Sequence, residues 1–541
     1  MTQFQNNAIK FIGKSENPAA IDILSHLLSH TDPGFRKLAF GLLYLKKTPE
    51  LYVQLFQQFL TNEEFWANPD VVAPDRLAKI VDAALREKSG KHRQTAADMA
   101  MKYRLYDILP TVALYAEAQD KQVSELMRKV MLHFAESFYE DIMNAPPGER
   151  INFDRKRDWF VSQLETPVKR YSVNGIDEAI QSLLIITKKD FDLMKIVTAD
   201  HRSAAAQKMQ EFLRTGTHRS YIRVLLNYLN DPDSPGMMDE IISERSDALF
   251  VRKLLEFVGH DPSPEFRSAL KRFNDLAWFH ADNPKLPELV DGLEPNAVQL
   301  LQSVNFPKER VIPLYHFFLE RESVESRRAA AESVRWIIGE EINWMLLKFL
   351  NNSDAQTAAT LFRLLKSREA FGVDEVLPKL IARNDDIIRK AIYDMMPELH
   401  VESFAARISQ MTPMTAQKVG QYVRQIDPNT FKVIGDDIVS PIPIRRAAAC
   451  KVAMTTGYAK SFLTRIIEIA EQDDEMPVRL AAISALSAIL VKEALASLMG
   501  LKNDRATDVR DAAEIAIKDW TVAYRASTAP PPTPPPSPPP A

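Results

Sequence analysis

An all-α chain, an α–α superhelix built from repeated helical hairpins, is what this sequence predicts, and three observations predict it. Apolar residues recur at three- and four-residue steps along most of the 541 residues, whereas strand-like alternation is hard to find. The breaks between these segments are short polar clusters such as "NDPDSPG" and "HDPSPE". One arginine-centred pattern also returns at a near-constant interval over the second half of the chain.

Composition bounds the answer first. At 541 residues the chain is too long for one ordinary core, so it holds either several domains or a linear array. Glycine numbers only 16, which argues against glycine-rich phosphate loops and tight hairpins. A net charge of −4 gives no global pull toward nucleic acid or acidic membrane. The single cysteine, Cys450, excludes an internal disulfide. The opening "MTQFQNNAIKFIGKSEN" lacks the basic start and apolar core of a secretory signal. The nearest approach to a membrane span, "AILVKEALASLMGL", is broken by Lys492 and Glu493. A soluble, cytoplasmic protein is the expectation.

The repeat is clearest in "DDEMPVRLAAISALSAIL", residues 473–490, with Val478, Arg479 and then small or apolar residues at 481, 482, 485 and 486. "TDVRDAAEIAI" follows it through Arg510, "PIPIRRAAACKVA" through Arg445, and "VESRRAAAESV" through Arg327. Further copies stand at Arg389, Arg267, Arg128 and Arg36. Arg445 and Arg479 are 34 residues apart and Arg479 and Arg510 are 31 apart, so a period near thirty runs from about 260 to 520.

Thirty residues hold two helices of about twelve residues and two turns, and such a hairpin cannot bury both of its faces without neighbours. That explains a helix apolar nearly all round. Its alanines let axes approach at the short end of the ~8–10 Å packing range. Asp473, Asp474, Asp504, Asp261 and Asp385 precede helices, where a carboxylate caps free amides. Arg36, Arg267, Arg327, Arg389, Arg445, Arg479 and Arg510 are expected to form a structural ladder, reaching along the stack to an acid of the next repeat. The pattern acid–x–proline or apolar–arginine–x–alanine–alanine resembles the HEAT-repeat family, in its short bacterial PBS-lyase HEAT-like form, most strongly over 440–520. The resemblance implies a right-handed solenoid with a concave face that holds a partner protein. It carries no chemistry and no contact residues across.

The expected organisation is a divergent helical block over 1–143, an irregular basic and aromatic connection over 144–175, helical repeats over 176–526, and a disordered proline-rich tail over 527–541. Within the connection, Arg150, Arg155, Lys156, Arg157, Lys169 and Arg170 gather around Trp159 and Tyr171, a mixture suited to an acidic partner. The tail, with nine prolines in 529–541, offers P-x-x-P spacing to an aromatic-lined proline-recognition domain. Trp278, Trp336 and Trp344 are expected to be scattered along a broad groove.

No cofactor and no metal are expected. His26 and His30 are four apart but lack a third ligand, and no histidine is followed by the glutamate of the HEAT-like iron hydroxylases. Cys450, within "RRAAACKVA", reads as a packing thiol. The expectation is a non-catalytic scaffold that binds a protein partner, not nucleic acid or membrane. A HEAT-like enzyme such as a chromophore lyase, or a helical-repeat nucleic-acid binder, is the alternative.

Overall fold

The computed structural model describes residues 2–528, in which every regular element is helical: thirty-four α-helices, six short 3-10 turns and no strand. The described residues form two compact units, divided between Arg310 and Val311. The expected boundaries at 143 and 175 therefore do not divide the chain, because 176–310 belongs with the first block. Arg310 shows why the first unit extends so far. Its guanidinium pairs with Asp275, donates to the Leu276 and Phe279 carbonyls and lies 4.1 Å from the Phe306 ring centroid.

The second unit is two layers of helices. Val324–Ser333, Ala355–Ser367, Asp386–Met395, Pro413–Ile426, Pro443–Thr456, Met476–Ser487 and Thr507–Thr528 pack each on the next. Glu340–Leu350, Val373–Ala382, Thr430–Asp437, Leu463–Gln472 and Lys492–Leu501 each pack on the helix that follows them. This is the stacked helical-hairpin architecture, HEAT-like, that the resemblance implies. Met476–Ser487 buries Val478, Ala481, Ala482, Ile483, Ala485 and Leu486, which occupy most of its circumference. Close approach is enforced at Gly420, where a Cβ would stand 2.8 Å from the Thr455 backbone of the neighbouring helix.

The first unit is organised around Lys121–Asn144, a 24-residue helix that packs against Leu109–Ala116 and Asp177–Ile186. The connection expected to be irregular is mostly the 20-residue helix Arg150–Lys169. Phe160, Val161, Leu164 and Val168, at three- and four-residue steps, are all buried along it. Pro146 and Pro147 precede the helix, and Pro167 falls in its last turn. Trp278, expected in a groove, is fully buried and stacked on Phe279 with centroids 4.6 Å apart. At the other end of the chain, the final helix runs to Thr528, past the tail boundary expected at 527. The proline-rich 529–541 lies outside the described residues.

The arginines sort into two sets. Arg479 donates to the Ala470 carbonyl at 2.9 Å and pairs with Asp504, whose carboxylate also caps the Ala506 amide at 2.9 Å. Arg327 lies 3.5 Å from Asp354, the N-cap of the next helix in its layer. In the "IRRAAA" repeat, however, it is Arg446 that makes the tie. Its Nε and Nη2 meet the two Asp473 oxygens at 2.7 and 2.9 Å, and Asp473 caps the Glu475 amide. Arg445 is largely exposed and approaches only Asp437, at 3.8 Å. Arg267, Arg389 and Arg510 bind groups of their own preceding loops or turns, and Arg36 lies over the Phe65 ring. These four depart from the expected ladder because, among the described residues, no acid of a following repeat meets them.

Cys450 is buried in the core of the second unit, and burial pushes its thiol up to about 12. It should react with a maleimide only on unfolding, and labelling of the native protein would contradict this packing. Arg446→Ala strips a largely buried carboxylate of its partner and should cost about 3 kcal/mol in urea unfolding. Arg445→Ala should stay within about 0.5 kcal/mol. The Arg446 hydrogen bond holds Asp473 below the usual carboxylate range, and the Arg479 hydrogen bond does the same for Asp504. Their folded pKa values lie under the unfolded value of about 3.9. This stability is therefore fully present above that pH and is lost as the pH falls through the folded values. Arg446→Ala should remove part of that acid dependence.

Candidate partner-binding surfaces

The basic and aromatic residues predicted around Trp159 do not form one surface. Helix Arg150–Lys169 presents Lys156 and Trp159 to a cleft of about 160 Å³, closed by Pro74, Ala78, Phe138 and the turn Tyr103–Asp107. Arg104 enters that turn at φ 51 and directs its guanidinium to Glu140, at 3.2 Å, and Asp141. The Tyr106 hydroxyl donates to Asp141 at 2.6 Å, and burial is the main cause that drives its pKa upward. The cleft is the size of one side chain, and its arginine is already neutralised.

The remaining members of that cluster are otherwise engaged. Arg157 faces inward, with Asp154 at 3.5 Å, and burial lowers its pKa. Lys169 pairs with Glu165 one turn back, Arg170 with Glu117 at 2.6 Å, and the Tyr171 hydroxyl donates to Asp177 at 2.6 Å. Arg155 and Lys156 stay exposed. The Arg150 side chain lies outside what the structure describes. His26 and His30 do not share a helix, since Pro18–Leu27 ends before His30. Among the described residues no three histidine, cysteine or acidic side chains gather as metal ligands, and no helix is long and apolar enough to cross a membrane.

Large apolar side chains also stand exposed on neighbouring segments of the second unit. Trp336, Ile338, Trp344 and Phe371 are 72, 76, 58 and 78% exposed, far beyond what scattered surface residues require. Trp344 meets Phe371 edge-on at 6.3 Å between centroids, and the Arg335 guanidinium lies 4.9 Å from the Trp336 ring. Helix Glu340–Leu350 buries Ile342, Leu346, Leu347, Phe349 and Leu350, so Trp344 falls on its opposite face. Phe371 rides on a turn in which Glu369 has φ 51 and Gly372 has φ 91, which throws its ring outward.

Arg368 holds these pieces together. Its Nη2 donates to the carbonyls of Val334, Arg335 and Ile337 at 3.2, 3.1 and 2.8 Å, and its Nη1 to Asn343 Oδ1 at 3.1 Å. One half-buried guanidinium thus fixes the turn that carries Trp336, the helix that carries Trp344 and the start of the loop that carries Phe371. The sequence reading named the two tryptophans but missed Phe371, Ile338 and Arg368. The only sequence signal was "REAFG", a phenylalanine set beside a glycine in a polar break.

The sequence matches no protein-family model and no curated protein. Solved structures do match. A chain from a study of the cadherin–β-catenin interaction is 11% identical, with 94% of this chain and 99% of that one covered and a TM-score of 0.30. Kap121p bound to RanGTP is 10% identical, with 98% and 67% covered and a TM-score of 0.24. Kap95p with RanGDP is 12% identical, with 96% and 84% covered and a TM-score of 0.22. Scores this low add nothing to fold or function, which rest on the packing described above.

Arg368→Ala would strand three carbonyls and should destabilise the second unit by about 2 kcal/mol. It should also loosen the aromatic cluster, read as faster hydrogen exchange at 334–344 and 368–372. Unchanged exchange there would show that the guanidinium does not hold the surface.

Proposed function

We propose that the chain is a non-catalytic scaffold of the short bacterial HEAT-like kind, cytoplasmic, whose task is to bind a protein partner. The observation that carries this reading is the exposure of Trp336, Ile338, Trp344 and Phe371 on segments that Arg368 ties together. Aromatic side chains bring large contact area and few rotatable bonds, so they dominate binding energy where they are found in interfaces. An enzyme would gather its chemistry in an enclosed cleft with convergent polar groups. The cleft at Lys156 and Trp159 is side-chain sized, and its Arg104 is already paired with Glu140 and Asp141.

The test compares proteins retained by the wild-type chain with those retained by a Trp336→Ala, Trp344→Ala, Phe371→Ala variant. Because all three side chains are largely exposed, the variant should unfold at nearly the wild-type urea concentration. A specifically retained partner should be lost, with each substitution weakening it about 30-fold. A partner held equally well by the variant, or tight nucleic-acid binding at physiological salt, would overturn the reading.

A further inference from the structure

The same aromatic surface has a chemistry that points to its occupant. Its polar groups include donors, the indole N–H groups of the exposed Trp336 and Trp344 and the Arg335 guanidinium, beside the exposed carboxylates of Glu340, Glu341 and Glu369. Between them lie flat apolar faces. A matching ligand offers strong acceptors and apolar rings, and needs no acceptor in return for backbone amides of its own. Proline-rich sequence is that ligand, because each proline supplies a carbonyl and an apolar ring face and has no N–H.

Such a segment exists in this chain: "PPPTPPPSPPP", three proline triplets over 530–540. Resting on the reading that this surface docks protein, we infer that Trp336, Trp344 and Phe371 take the proline-rich segment 529–541 of a second copy of the chain.

The segment of the same copy is out of reach. It leaves the fold at Thr528, in the last helix of its layer. Five stacking steps separate that helix from Ala355–Ser367, which is followed by the loop of Phe371. At the usual interaxial distances this is about 40–50 Å. Fully extended as polyproline, all thirteen residues 529–541 span about 40 Å. Once one triplet and its flanks lie across the rings, roughly half of that length is left to bridge the gap. Docking in trans has no such limit. It joins the C-terminal end of one copy to the aromatic face of another, a head-to-tail contact.

Two measurements test this. A fluorescent synthetic peptide of residues 529–541 is titrated into the chain lacking those residues, into its Trp344→Ala, Phe371→Ala variant, and into a Lys156→Ala control. Sedimentation then compares the full chain, the tail-less chain and a full chain with prolines 534–536 replaced by alanine, all above the peptide's Kd. The inference expects saturable binding, weakened at least tenfold by the aromatic variant and unchanged by the control. It also expects concentration-dependent association of the full chain that tail removal abolishes and the alanine replacement weakens. Absence of binding, binding indifferent to Trp344 and Phe371, or a full chain that stays monomeric would each overturn it. None of these failures touches the docking reading, which stands or falls on whether the triple variant loses a different protein.

Discussion

A helix apolar on most of its circumference is insoluble as a single hairpin and becomes stable only when it is flanked on both sides. Every other feature of the second unit follows from that requirement. Met476–Ser487 must be enclosed by Leu463–Gln472, its own hairpin partner, and by its neighbours in the layer, Pro443–Thr456 and Thr507–Thr528. Enclosure at close range demands small residues, hence the alanine runs and Gly420 pressed on Thr455. It also leaves little area free for function. Large exposed aromatic side chains are left to the turns and to the outward faces of the second layer, which is where Trp336, Trp344 and Phe371 stand.

The polar ties refine this arrangement without creating it. Asp473 and Asp504 each cap an amide of their own loop and receive an arginine from the preceding repeat. A cap and an inter-repeat bond made by one carboxylate couple local helix formation to the stacking of neighbours. Arg368 applies the same chemistry elsewhere. Its donors satisfy turn carbonyls that a helix end leaves open, and the orientation of the aromatic surface is the by-product. Exposed pairs such as Lys121 with Glu125 add little by comparison.

The helical stack was legible because its signal is repeated: the alanine face near Arg479 is written again near Arg445 and Arg510. Residue-level roles were less legible. In "IRRAAA" both arginines fit the pattern, and only the helix rotation decides that Arg446 meets Asp473 while Arg445 points to solvent. The connection near 150–170 was misjudged for a related reason. Its charge density masks a core stripe of Phe160, Val161, Leu164 and Val168, and Arg157 occupies a position on that same buried face. Trp278 and Trp344 are equally aromatic in the sequence, yet one packs on Phe279 and the other faces solvent, since burial depends on neighbours distant along the chain. The Arg368 contacts to 334, 335 and 337 have no periodic signature at all.

The arginine–aspartate ties have a bearing on how such a chain can change its length. Arg327 and Asp354, like Arg446 and Asp473, are 27 positions apart, and Arg479 and Asp504 are 25 apart. One residue inserted within a helix between such anchors would rotate everything after it by about 100° and carry the acid away from its arginine. Insertions and deletions are therefore confined there to the turn tips. Around 271–285 short turns replace regular helix, and there too the pair of Arg310 with Asp275 and the buried Trp278 and Phe279 hold the segment to its length.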